Sequence, residues 1–178
     1  MSDDVERYDE EPPSDLEDRP PRRRSGTTGR VPPHNVDAEE ALLGAMLLSR
    51  SAVDTASELL SPESFYKPAH GLIYDAIMGL SAAAESVDPV TVAEELRRAG
   101  VLDQVGGPLA LNSLLANTPS TSSAARYARI IDENHLLRGL IGVAGEIQEL
   151  GYSLPSDVVQ AVDEAERMIF QVAQHRQV

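Results

Sequence analysis

From Asp37 to Ala173 the apolar residues of this chain recur at spacings of three and four, not two. That period lines one face of a helix, whereas a half-buried strand needs alternation. Val and Ile obey the same rule, so no strand is expected and the fold class is all-α. There is no internal repeat of fixed period. With no Trp, five Tyr and two Phe, the core must be aliphatic, built from Leu, Ile, Val and Ala. Cys is absent, which removes disulfides and thiolate metal sites and fits a reducing cytosol.

Start and stop signals divide the series. Asp37 is a good N-cap, and Glu40 three residues later completes a capping-box pattern. Ala38, Ala41, Leu42, Ala45 and Leu48 then fall on one face. A short helix is expected over Ser51–Leu60, with Val53, Ala56 and Leu60 inward. Ser61-Pro62 restarts the chain in a cap-then-Pro pattern. Phe65-Tyr66-Lys67-Pro68 leads into a helix through about Ala83, with Leu72, Ile73, Ile77 and Leu80 on one face. Asp88-Pro89 repeats the restart, Val92, Leu96 and Ala99 follow, and Gly100 is the expected stop. Gly106-Gly107-Pro108 opens another short helix with Leu111, Leu114 and Leu115, and Asn117-Thr118-Pro119-Ser120 is a turn.

The C-terminal part differs in character. Arg126–Leu150 carries one stripe of Tyr127, Ile130, Leu137, Ile141 and Ala144, and a second of Leu136, Leu140, Val143, Ile147 and Leu150. Two adjoining stripes are wider than a surface helix needs, so such a helix can pack on two partners. Gly139, Gly142 and Gly145 lie inside it, each costing about 1 kcal/mol relative to Ala. Close approach of another backbone would explain them, and so would local flexibility. After the turn Gly151–Pro155, the helix Ser156–Ala173 carries Val158, Val162, Ala165, Ile169 and Val172, a coiled-coil-like seam. The architecture expected is a compact helical head over residues 31–122 and an antiparallel helical hairpin over 123–178. One hairpin is too small to bury both stripes, so the spare face is expected to meet another chain. The residues expected at that protein interface are Tyr127, Ile130, Leu137, Leu140, Ile141, Ala144, Ile147, Val162 and Ile169.

Residues 1–30 are expected to be a disordered acidic, Pro-rich tail, with pairs at Pro12-Pro13 and Pro20-Pro21 and an Arg22-Arg23-Arg24 run that reads as solvated charge. The chain's net charge is −14. The tail holds nine acids and six bases, while the other 148 residues hold 20 acids and nine bases. A domain that grips phosphate backbones needs a basic face, so proteins are the expected partners. No apolar run reaches the roughly 18 residues of a membrane span, and the acidic N-terminus is no secretory signal. The expected location is therefore the cytoplasm.

Catalytic motifs are missing. His34, His70, His135 and His175 match no local ligand spacing, and His70 reads as a partly buried hydrogen-bonding residue. There is no G-x-x-x-x-G-K-[ST] loop, the sole lysine, Lys67, sits in a turn, and no G-x-S-x-G occurs. Acidic pairs such as Glu39-Glu40 and Glu94-Glu95 read as solvated faces. Val90–Leu102 has the helix-turn look of a DNA-reading module, but only Arg97 and Arg98 are basic there.

Several of these motifs together carry a resemblance. They are Pro-Pro-His-Asn-Val-Asp-Ala-Glu-Glu at 32–40 with Leu43-Gly44, Glu63-Ser64-Phe65-Tyr66 to His70, and Asp88-Pro89-Val90-Thr91-Val92. They continue with Leu102–Gly107, Asn117–Ser120 and Tyr127-Ala128-Arg129-Ile130-Ile131. In this order and spacing the chain resembles the N-terminal domain of the bacterial replicative DNA helicase of the hexameric DnaB type, from Pro32 to the C-terminus. The resemblance implies a head and hairpin, pairing of hairpins into dimers and a trimer of dimers, and a collar that binds the C-terminal domain of primase. Ile141 and Ile147 correspond to apolar primase-contact positions. An aromatic common after the Gly-Gly pair is Ala110 here, which departs from the pattern on the head side.

By the same resemblance the motor domain, with its ATP and Mg2+ sites and DNA loops, is expected to lie outside this chain, which stops about where a linker helix should begin. The chain itself is expected to be no enzyme and to need no cofactor, and DNA would be engaged only through the full-length ring at replication forks. A helicase loader is a further expected partner. The alternatives are a stand-alone regulator of helicase rings that uses the same face, and a helix-turn-helix DNA binder.

Overall fold

The computed structural model describes residues 30–174. The expected tail with its Arg22–Arg24 run, and His175, fall outside the described residues. Pro32–Val178 is one unit of contacts, and Met1–Val31, of which only Arg30 and Val31 are described, is another. Among the described residues every regular element is helical: α1 Val36–Leu48, α2 Arg50–Ser57, α3 Pro68–Ala82, α4 Pro89–Arg98, α5 Gly107–Ala116, α6 Ala124–Tyr152 and α7 Val158–Gln174. Short 3-10 turns at Pro62–Ser64, Leu102–Val105 and Thr121–Ser123 join them. No described helix is long and apolar enough to cross a membrane.

Local chemistry sets the boundaries. Asp88 accepts from the amides of Val90 and Thr91, and the Thr91 side chain closes the box on Asp88 N–H. Ser61 and Ser64 make a similar box around Pro62. Gly100 stops α4 at φ +72°, a left-handed backbone that L side chains resist. At α1 the cap is Asn35, not Asp37: Asn35 Oδ1 accepts from Ala38 N at 2.9 Å. Asp37 lies instead in the first turn, where its charge favours the positive helix end.

The core is aliphatic as expected. Leu42, Leu43, Met46, Ile73, Ile77, Leu96, Leu111 and Ile131 are its largest fully buried apolar side chains, with Phe65 and Tyr74 beside them. Val53, Ala56 and Leu60 all turn inward, but Leu48 does not; it is 58% exposed at the end of α1. The first turns of α6 complete this core through Ala124, Ala128 and Ile131. The arginines behind the helix-turn reading are engaged locally, Arg97 with Glu94, and Arg98 with Glu94 and Glu95.

Two sites give opposite tests of packing. A Cβ on Gly44 would strike Thr118 Oγ1 and the Leu114 carbonyl, so α1 meets the end of α5 at a glycine-only distance. Gly79, inside α3, has nothing near it. Gly44→Ala is expected to cost about 1–3 kcal/mol, and Gly79→Ala to stabilise by about 0.5–1 kcal/mol, both read by urea unfolding. Equal effects of the two would refute this account.

Tyr74 supplies a pH test. Its hydroxyl donates to the Leu60 carbonyl at 2.7 Å, and burial, aided by Asp75, pushes its pKa up to about 12. The unfolded chain ionises this group near pH 10, before the folded chain does. Stability that is intact below pH 10 is therefore lost between pH 10 and 12. Tyr74→Phe should lower the neutral-pH Tm yet show a shallower alkaline decline; parallel declines would contradict the assignment.

Candidate protein-interaction surface

The hairpin is built on α6, 29 residues and so about 43 Å long. Only its N-terminal turns enter the core, where Tyr127 and Ile130 lie partly buried against it. Farther on, Arg138 still reaches the segments before α1 and α3, and the outer turns pack on α7, reached through Ser153–Asp157. Asp157 Oδ1 accepts from Gln160 N at 3.0 Å and helps start α7.

Between the two helices Leu136, Val143, Ile147 and Leu150 of α6 are half-buried, as are Ala161, Ala165, Met168 and Val172 of α7. The seam expected on α7 is therefore displaced. Ala165 and Val172 face α6, but Val158, Val162 and Ile169 are 68%, 53% and 50% exposed. Small Ala side chains let the helices approach, and the bulkier residues end on the flank. No described residue of α7 is buried.

That flank is one surface. A groove near the tip is lined by Ile147, Leu150, Gly151, Leu154, Val158 and Val162, and one near the head by Leu136, Leu137, Leu140, Ile169 and Val172. At about 100° per residue, Leu137, Leu140, Ala144 and Gly151 fall within about 60° of each other on α6, so both grooves open on the same side. Ile141 lies about 40° farther round. Of the residues expected at an interface, Leu137, Leu140, Ile141, Ala144, Val162 and Ile169 are exposed, Ile147 is half-buried beside them, and Tyr127 and Ile130 pack on the head.

Phe170, 61% exposed beside Ile169, and Leu154 at the tip extend the apolar surface. A wider helical stripe around Val162 and Ile169 would have included Phe170. Leu154 occupies a left-handed backbone at φ +51°, which no sequence pattern announces for a leucine. The charged rim lies at the head end, with Arg129, Asp132 and Glu133. Burial raises the Asp132 pKa, His135 opposes the shift and Glu133 adds to it.

A polar cluster ties α6 to the head. Glu39, which reads in sequence as a solvated acid, is 1% exposed. Its carboxylate accepts from Tyr66 N at 2.7 Å and meets His70 Nδ1 at 2.7 Å, with Lys67 N at 3.4 Å. A buried carboxylate persists only when hydrogen-bonded this way. His70 is indeed a buried hydrogen-bonding residue. Tyr66 stacks on His34 at 4.2 Å. Arg138 of α6 donates to the carbonyls of Pro33 at 2.9 Å and Ser64 at 2.6 Å and stands 5.9 Å over the Tyr66 ring. Among the described residues no group of His, Cys, Asp and Glu is arranged to hold a metal.

The sequence profile of the DnaB-like helicase N-terminal domain matches residues 31–133. The chain belongs to that family. The resemblance carried by the motifs holds, as does the all-helical fold. DnaC, a replicative DNA helicase of Bacillus subtilis, is 40% identical over 147 residues, which are 83% of this chain and 32% of the relative. The N-terminal domain of DnaB helicase from Mycobacterium tuberculosis matches at TM-score 0.76 and 40% identity, over 80% of this chain and 99% of that one. A DnaB-like replicative helicase, described with its interactions with primase, matches at TM-score 0.64 and 28% identity, over 78% of this chain and 31% of that one. The chain thus spans about a third of the length of the replicative helicase from Bacillus subtilis.

The Glu39 cluster is testable by itself. Glu39→Ala strips the acceptor from His70 and two amides and should cost about 3–5 kcal/mol, the usual penalty for breaking a buried pair. In a double-mutant cycle with His70→Ala, unfolding free energies should show coupling of about 0.5–3 kcal/mol. Simple additivity would show that the pair is not a unit.

Proposed function

We propose that this chain is the non-catalytic assembly and docking part of a replicative DNA helicase, working through the exposed flank of its hairpin. The observation that carries this reading is α7: an amphipathic helix with no described buried residue and with Val158, Val162, Ile169 and Phe170 at least half exposed. Contiguous apolar surface of this kind on a folded domain marks an interaction site. The first occupant is a second copy. A two-fold contact uses the same patch on both partners, so Leu137, Leu140, Ile141, Ala144, Val162 and Ile169 would serve twice. Dimers built this way are the units from which a hexameric trimer of dimers would form.

The flank left after pairing is the docking place for primase, and for a loader during ring assembly. Support comes from the related DnaB-like helicase described with primase, and from the family resemblance at Ile141 and Ile147. ATP, Mg2+ and DNA would be handled by a motor domain joined to this one, in the cytoplasm at replication forks. The net charge of −14 agrees with protein rather than nucleic acid as the direct partner.

The test is sedimentation equilibrium of the chain and of Ile141→Asp with Ile169→Asp. Both residues are at least half exposed, so the monomer should keep its fold and helicity. The parent chain should form dimers or larger species, and the double variant should shift to monomer by at least tenfold in dissociation constant, about 1.4 kcal/mol. A parent that stays monomeric at high concentration and ignores primase would overturn the proposal. Unchanged assembly by the variant would move self-association off this flank.

A further inference from the structure

Three sequence motifs converge on one side chain that the assembly reading does not use. Pro33 and His34 come from the segment before α1, Ser64 and Tyr66 from the link before α3, and Glu39 and His70 from α1 and α3. Together they form a seat for Arg138. His34 and Tyr66 make a stacked platform, Glu39 fixes the Tyr66 backbone from below, and the guanidinium forks between the Pro33 and Ser64 carbonyls. A planar five-donor group suits such a fork, and a lysine would not.

The helix that carries Arg138 changes character immediately after it. Arg138, Gly142 and Gly145 fall on the same side of α6, within about 60° of each other. The first is clamped to the head. A Cβ on either glycine would meet nothing within 4 Å. Packing inside the chain therefore does not require glycine at these two positions, although each weakens the helix by about 1 kcal/mol relative to Ala. Gly142 lies away from the apolar flank, whereas Gly145, one turn after Ile141, borders it.

We propose that Arg138 is a latch that sets the tilt of the outer hairpin, and that α6 pivots between its core anchor at Ile131 and Arg138 when the latch opens. Latched, the helix runs unbroken from the head to Tyr152. Released, it keeps its anchor at Ala124, Ala128 and Ile131 but loses its outermost tie. The 21 residues from Ile131 to Tyr152 span about 31 Å, so a swing of about 20° carries the tip through about 11 Å. In an assembly held together by hairpins, such a change would reposition every head without breaking a subunit contact. Arg138 is a positioning residue here: it acts on the flank only through the direction of α6.

The chain lacks cysteine, so paired spin labels can be placed by Asp54→Cys on α2 and Glu164→Cys on α7, both exposed. Labelled chain is diluted into excess unlabelled chain, so that only distances within a chain are read. The parent should give one narrow distance distribution. Arg138→Met, which keeps the stem and helix propensity, should broaden it and add a population shifted by several ångströms. Adding Gly142→Ala with Gly145→Ala should leave it broad, because both positions lie beyond the pivot. A distribution that stays narrow in Arg138→Met, with native helicity, overturns the latch, and a broadened one that the alanines narrow places the movement beyond Arg138 and overturns the pivot. Arg138→Lys, which keeps the charge but not the fork, is read the same way if the Met variant does not fold.

Discussion

A carboxylate without water organises this domain. Glu39 sits in the first turn of α1, buried among aliphatic neighbours, where an unpaired charge would be costly. The only stable solution is to bring donors to it, and these come from the segment that joins the first two helices to α3. Once Tyr66 and His70 are so placed, the start of α3, the ring stacked on His34 and the carbonyls facing Arg138 are all determined. Replacing such a cluster by apolar side chains is often neutral for stability. What the charge contributes is geometry: it fixes where the long helix leaves the head.

The second organising fact is a mismatch of lengths. The helices α1 to α5 are short, and they surround only the beginning of α6. The rest of that 29-residue helix extends past them with a single 17-residue companion. Two helices side by side cover one stripe each, and these helices carry more than one. The excess collects on one flank, which is why a single surface accounts for most of the exposed Leu, Ile and Val of the C-terminal third.

Much of this was legible in the sequence, and the failures have physical causes. Cap-then-Pro signals at Ser61 and Asp88, and the glycine stop at Gly100, act within one turn of chain, so they could be read directly. The cap of α1 was misplaced because Asn35 and Asp37 are both good caps, and only the backbone around Ala38 decides between them. The burial of Glu39 was invisible because its partner His70 is 31 residues away and its neighbour Glu40 suggests solvent. On α7 two registers share Ala165 and Val172. Residue size favours Val158, Val162 and Ile169 for the seam, whereas close approach at Ala161 and Ala165 turns the helix so that flexible Met168 fills the seam instead. Arg138 showed no signal, since its acceptors are backbone carbonyls.

That α7 has no described buried residue bears on when this helix is ordered. Isolated helices of this length are marginal in water, and α7 gains only half-buried contacts from α6. Its amides should therefore open far more often than those of α1 or α3, in a unit of local unfolding separate from the head. Any partner that covers the flank adds to the stability of α7 by mass action, so the order of this helix becomes a function of concentration. With that flank uncovered, α7 would be the frayed and protease-accessible part of the hairpin.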